Sequence, residues 1–305
     1  MKKTILAAVC LFAMAAGATA QSRPDNKPAA GSWAVGLSMN VLGIGSSNSQ
    51  PGNNSGAADF VSSNSAFVSE QMNIITQDPL ARISFKYFKS DKFAIRFGVG
   101  FSGSNVNYKE YVQDDLAKFQ DSESEDVVFD IVHGTLGTFS ANLGGEYRIG
   151  KGNVQMILGF GVGYVLGGGG MTFDYGNVLT AANTQPSTIG MADKAGELNQ
   201  FNSPKQGIDW ARPTTRFTEG VTHAVNISAD LGVEWFFIKN ASLQASVGIV
   251  PVTFAFQPQT WAEYEGYSTK SMRVEKYNDL ISPGSNAVLF GTNNISLNIG
   301  LNYYF

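Results

Sequence analysis

The 305-residue chain has one cysteine, two histidines and only 15% charged residues, and no run of apolar residues long enough to cross a bilayer as a helix. A membrane helix takes roughly 18 or more consecutive apolar residues. The longest run here, Ile5 to Ala16, is shorter and follows Lys2 and Lys3, with small residues at Ala18-Thr19-Ala20. That order of basic, apolar and small residues reads as a secretory signal peptide over residues 1–20, cleaved after Ala20. Cys10 lies inside it, so the mature chain is expected to form no disulfide. A lipid-modified Cys10 is disfavoured, because Ala8-Val9 and the distance to the polar sequence both fit poorly. Removing Lys2 and Lys3 moves the net charge from −4 to −6, which argues against nucleic acid as a partner.

What the chain does have is 34 glycines, 21 Phe, 11 Tyr and apolar residues at every second position. The final segment shows this most plainly, with Leu297, Ile299, Leu301, Tyr303 and Phe305 alternating with polar or small residues. Successive strand side chains point to opposite faces, so such a segment has one apolar and one polar face. In lipid its backbone groups would be costly to leave unpaired, which demands a closed barrel. A barrel also hides its hydrophobicity by alternation, so average hydropathy looks ordinary.

Eight segments pass this test: Trp33 to Val41, Ala81 to Phe88, Phe93 to Gly103, about Thr135 to Ile149, Val154 to Leu166, Val225 to Trp235, Leu243 to Pro251 and Ser296 to Phe305. Short connections near 89–92, 150–152 and 238–241 alternate with long ones near 43–80, 106–133, 167–222 and 253–293. Short periplasmic turns and long extracellular loops predict an all-β, up-and-down antiparallel transmembrane barrel of eight strands over residues 32–305. Residues 21–31, with Pro24 and Pro28, read as a flexible periplasmic lead-in. Trp33, Tyr87, Phe88, Phe93, Tyr147, Trp235, Tyr303 and Phe305 gather at strand ends, where an aromatic girdle would sit on the outward face.

An eight-stranded barrel is just wide enough for side chains to fill. Phasing against the lipid face puts Arg82, Lys86, Arg96 and Arg148 inside with Glu146, Asp230 and Glu234. Opposed charges at such density predict an ion-paired plug, since buried charges persist when paired and hydrogen-bonded. A narrow pore lined by the same charges is the alternative. Inward glycines (Gly98, Gly100, Gly159, Gly161, Gly163) vacate volume for neighbouring side chains, or mark a small ligand cavity.

The long connections carry a net −11, against +5 for the rest of the mature chain, and the second is the most acidic. It could hold divalent cations or a cationic partner, although its spacing matches no defined metal loop and a solvated acidic face is the simpler reading. Phe60, Phe67, Met72, Met171, Phe173, Tyr175, Trp210, Phe217, Phe254, Phe256, Trp261, Tyr264 and Tyr267 place apolar surface in the other connections. They either build a small core over the barrel or form a docking patch, for which Trp210, Trp261, Tyr264 and Tyr267 are the candidates.

The terminal Leu297–Phe305 alternation resembles the last strand of bacterial outer-membrane barrels, which the barrel-insertion machinery reads. With the eight-strand pattern, it resembles the small OmpA/OmpX-like barrels of Gram-negative bacteria, in a style suited to the Bacteroides group. The resemblance covers the membrane strands and not the loops. It implies a non-enzymatic protein of the cell outer membrane, a surface scaffold, adhesin or accessory subunit surrounded by lipid and lipopolysaccharide and meeting a surface or outer-membrane protein. No cofactor, metal or catalytic residue is assigned. Lipid-modifying enzymes of similar barrels use Ser and His near the outer rim, and His133 and His223 stand near such strand ends, but abundant serines make that signal weak.

Overall fold

The computed structural model describes residues 28–44, 81–150, 152–190, 207–216, 221–291 and 295–305. The expected signal peptide, most of the lead-in, and Phe60, Phe67, Met72 and Phe217 lie outside them. The described residues form β1 (Trp33–Ile44), β2 (Ala81–Ser90), β3 (Phe93–Gln113), the short helix α1 (Asp115–Gln120), β4 (Val127–Ile149), β5 (Val154–Asp174), β6 (Ala211–Thr215), β7 (Thr222–Ile238), β8 (Ala241–Gln257), β9 (Thr260–Ser268), β10 (Arg273–Ser282), β11 (Ser285–Phe290) and β12 (Ile295–Tyr304).

Eight of these close a ring. β1 pairs with β2, β2 with β3, β3 with β4, β4 with β5, β5 with β7, β7 with β8, β8 with β12, and β12 returns to β1, each antiparallel to its neighbour. Every ring strand thus has a partner on both edges, which removes the bare edges that hydrocarbon forbids. The ring strands contain the eight alternating segments, with Phe305 one residue beyond β12.

Alternation works here in the sense opposite to a soluble sheet. Outward Leu158, Phe160, Val162, Leu231, Val233 and Leu301 are exposed, whereas inward Lys86, Glu146, Arg148, Gln155, Glu234 and Asn302 are buried. On β5 the outward apolar series runs from Val154 to Tyr164, which matches the 9–11 residues a tilted strand needs to cross. No helix among the described residues is long and apolar enough to span a membrane.

The three short turns and the chain around Pro28–Ser32 share one end of the barrel. Gly150 makes the β4–β5 turn at φ +125°, a conformation closed to residues bearing a Cβ. At the other end the strands run on. β3 and β4 pair without a slip from Phe93↔Tyr147 to Gln113↔Val127, so most of the expected second loop is an extended hairpin. At its tip Asp114 caps α1, its Oδ1 accepting from Leu116 N (2.9 Å) and Ala117 N (3.1 Å).

Four strands were not foreseen. β6, β9 and β10 form a small sheet joined to the upper part of β5 at Thr172↔Thr215, and β11 pairs with the upper part of β8. They stand above the ring and do not widen it. The cap sheet has its own core, where Tyr264 and Tyr277 stack near Ile208 and Ala262. This corrects one expectation: Tyr264 and Tyr267, proposed as docking residues, are both buried, Tyr264 within the cap core. Trp210 and Trp261 are half-buried.

Candidate functional site

The inward faces of β2, β4, β5, β7, β8 and β12 bring a dense polar cluster together near the short-turn end. Arg148 is its centre. Its Nε donates to Glu146 Oε1 (2.9 Å), its Nη1 to Gln155 Oε1 (3.1 Å), and its Nη2 to the Tyr304 hydroxyl (3.0 Å) and to Glu234. The guanidinium lies over the rings of Phe88 (4.7 Å), Phe236 (5.6 Å) and Tyr304 (5.9 Å). An arginine suits this place, because its planar, weakly hydrated cation both forks carboxylates and stacks on rings.

Lys86 completes the balance. Its ammonium reaches Glu146 Oε2 (3.0 Å), Glu234 Oε2 (3.7 Å) and Gln244 Oε1 (2.8 Å). Glu234 Oε1 accepts from Asn302 Nδ2 (2.9 Å) and from the hydroxyls of Ser242 and Tyr304. Two cations and two carboxylates, the latter both 0% exposed, thus neutralise each other across the lumen. Ion pairs this deep persist only with such supporting hydrogen bonds.

A second tier lies one step towards the loops, where Arg96 grips Asp230 through both guanidinium nitrogens, one contact at 2.8 Å. Asp230 occupies volume that Gly159 leaves open; a Cβ there would overlap the carboxylate. Asn302 uses Gly36 in the same way. Arg82 takes an inward position further along β2, opposite Gly100 of β3 and Ser38 of β1. Thus six of the seven expected lumenal charges meet in two neutral tiers.

Phe88 is a correction. Expected in the outward girdle, it is fully buried in the lumen beneath Arg148. Tyr304 and Phe236 were overlooked for a related reason. Each sits in an aromatic doublet at the short-turn end (Tyr87-Phe88, Phe236-Phe237, Tyr303-Tyr304), where one ring faces in and its neighbour faces out. Strand parity counted from the interior would have separated them.

The terminal strand residues Leu297, Ile299, Leu301 and Tyr303 lie in the β12 register between β1 and β8, and the Phe305 N–H donates to Trp33 O (2.9 Å).

At the loop end, acidic residues of the second connection serve the fold. Buried Asp130 accepts from Gly176 N (2.8 Å) and Ile189 N (2.9 Å), and Asp115 Oδ2 from Asn183 Nδ2 (2.7 Å) and Ser187 N (2.8 Å). These bonds pin residues 175–189 against the β3–β4 hairpin. Asp130→Ala should free the buried Ile189 N–H, at about 1–3 kcal/mol, and release the less buried Gly176 N–H with it. Limited proteolysis should then cut within 175–189 first, while cutting at an unchanged rate would deny Asp130 this role. No group of three or more His, Cys, Asp and Glu placed to hold a metal occurs among the described residues.

His133 is held between Asn107 (2.7 Å) and Asp174 (3.1 Å), and His223 by the Tyr164 hydroxyl (2.5 Å). In the cap, burial and then Asp279 push the Tyr277 phenol up to about 12, and burial lowers Arg216 to about 9.

No family model matches the chain, and no curated protein sequence does. Among solved structures it is similar to the outer membrane protein OprG from Pseudomonas aeruginosa, at 14% identity over 92% of this chain and 98% of that one, with a TM-score of 0.33. It is similar to Ail, the attachment invasion locus protein of Yersinia pestis, at 8% identity over 90% and 99%, with a TM-score of 0.32. It is also similar to outer membrane protein W of E. coli, at 11% identity over 91% and 99%, with a TM-score of 0.27. The fold rests on the strand pairings above, independently of these likenesses.

Proposed function

We propose that the chain is a non-enzymatic outer-membrane barrel, its lumen stopped by ion pairs, which works through its loop-end cap as a surface scaffold, adhesin or accessory subunit. Lipid and lipopolysaccharide would surround its wall, the insertion machinery would read β12, and a surface or outer-membrane protein would meet the cap. One observation carries this reading: Lys86, Glu146, Arg148 and Glu234 neutralise one another between β2, β4 and β7, with the two carboxylates fully buried. A passing ion would have to break these bonds and leave charges uncompensated in low dielectric.

Planar-bilayer recording of the refolded protein tests it. The wild type should give no stable conductance steps. Replacing the charges of both tiers, Lys86, Arg96, Glu146, Arg148, Asp230 and Glu234, together by serine should produce them, because the ion pairs are removed and the wall kept. Steady wild-type steps altered by Glu146→Ala or Asp230→Ala would establish the narrow channel instead.

A further inference from the structure

Above the barrel the β3–β4 hairpin has two unlike faces. Its inner face is covered: Asp130 binds Gly176 and Ile189, the Asn177 amide donates to Gln113 O (2.7 Å), and at the tip Asp115 binds Asn183 and Ser187. Its outer face is bare and apolar. Tyr111 and Phe129 are direct cross-strand partners with rings 4.5 Å apart, and both are exposed, as is Val127. On α1 at the tip, Leu116 and Phe119 are exposed as well, Phe119 to 84%, and the helix buries no residue of its own.

These side chains do not belong to the lipid belt. On β3 the outward apolar series ends at Phe101 and gives way to Gly103, Asn105, Asn107 and Lys109, and on β4 Thr135 and His133 lie beyond Phe139. Tyr111 stands ten residues past Phe101. That is roughly 33 Å along a strand, or about 23 Å higher at a 45° tilt. Apolar surface held so far into water is a cost that the wall does not impose, and contiguous patches of this kind mark interaction sites.

We infer that the hairpin tip docks a cationic protein surface that offers an apolar groove, an inference that rests on reading the loop end as the working end. Charge chooses this occupant. Residues 109–126 carry seven acidic and two basic side chains, a net −5, and Asp121, Glu123, Glu125 and Asp126 are exposed in the stretch that joins α1 to Val127. A phosphate-bearing lipid surface would be repelled, and a second copy would set −5 against −5. Residues 45–80 of the same chain carry −3 and no lysine or arginine. A basic rim around an apolar groove answers both features, since the exposed acids steer it and the rings anchor it. The simplest competing account is a solvated acidic face, which leaves Tyr111, Leu116, Phe119, Val127 and Phe129 in water without a reason. The tip is also held in shape: β3 and β4 pair without a slip up to Gln113↔Val127, Gln113 Nε2 donates to Asp126 O (2.9 Å), and Asp114 caps α1. Docking on such a platform costs little ordering entropy.

The test passes the refolded full chain, in nanodiscs of zwitterionic lipid, over immobilised synthetic peptides of one length that combine lysine or glutamate with leucine or serine. Empty nanodiscs supply the lipid background. The expected result is saturable retention by the lysine–leucine peptide alone. Phe119→Ser and Tyr111→Ser should each weaken it about tenfold, the loss of one aromatic anchor. Phe290→Ser, which removes a comparably exposed ring from β11, should leave it unchanged. Heat-modifiable gel migration verifies that each variant is folded. Equal retention by the lysine–serine peptide would reduce the tip to an acidic face, and equal retention by the glutamate–leucine peptide to an apolar one. Either result overturns the inference, as would no retention at all, full retention of a folded Phe119→Ser/Tyr111→Ser double variant, or binding of the wild type to phosphatidylglycerol vesicles through these residues. Bilayer recording separates this from the broader reading: a wild type that conducts refutes the stopped lumen, whereas an electrically silent protein that ignores the lysine–leucine peptide refutes only the docking tip.

Discussion

Glu234→Ala should destabilise the barrel by about 3–5 kcal/mol, the usual consequence of removing one partner from a buried ion pair. The reason is the number of groups it orphans. Arg148, Lys86, Tyr304, Ser242 and Asn302 all turn to this carboxylate. Alanine would leave Glu146 alone to balance two buried cations. Equilibrium urea unfolding of the protein in lipid vesicles measures the difference. Replacing Lys86, Glu146, Arg148 and Glu234 together by apolar residues of similar volume should cost far less, because no charge is then left unpaired. A Glu234→Ala loss below about 1 kcal/mol, the range of exposed pairs, would mean that the tier is hydrated and not sealed.

The second large effect is expected on the opposite face of the same wall. Leu158 points outward near the middle of the crossing part of β5, 49% exposed in the isolated chain. Leu158→Arg should cost about 2–4 kcal/mol, and Val154→Arg, at the short-turn edge of the same strand, only about 0–1 kcal/mol. This gradient is a property of lipid and not of the fold. Equal costs at both positions, measured by the same unfolding experiment, would show that no bilayer covers this face.

These two faces also explain how much was legible beforehand. Lipid outside and a charged lumen inside impose opposite demands on neighbouring residues, so the wall strands are written in the sequence at period two. Arg96 and Asp230 lie on different strands far apart in the chain, yet inward parity alone marks both. The cap has no lipid to enforce alternation. In β9, buried Ala262 and Tyr264 alternate with half-buried Trp261, Glu263 and Glu265, a pattern too mixed to separate from an irregular loop. β6 is five residues long and contains Pro213, which weakens any strand signal. The junction of cap and wall is harder still, since it joins Thr172 of β5 to Thr215 of β6, whose proximity no local pattern records. Phe88 and Tyr304 failed for a smaller reason: in Tyr87-Phe88 and Tyr303-Tyr304, two consecutive rings give hydropathy nothing to alternate between.

The pairing of β1 with β12, in which Ala34 meets Tyr304, sets a condition on assembly. The seam joins the first and last strands of the wall, so its closure carries the largest chain entropy of any contact in the ring. Seven strands without the eighth would hold two raw edges, on β1 and β8, that hydrocarbon cannot solvate. Unassisted entry into the bilayer strand by strand is therefore costly. The final act of the wall is a latch that shuts only once β12 is in place. Contacts so distant in sequence form slowly, so the hazard for this chain lies in the interval before the latch engages, when the open cylinder can pair with another chain instead of with itself.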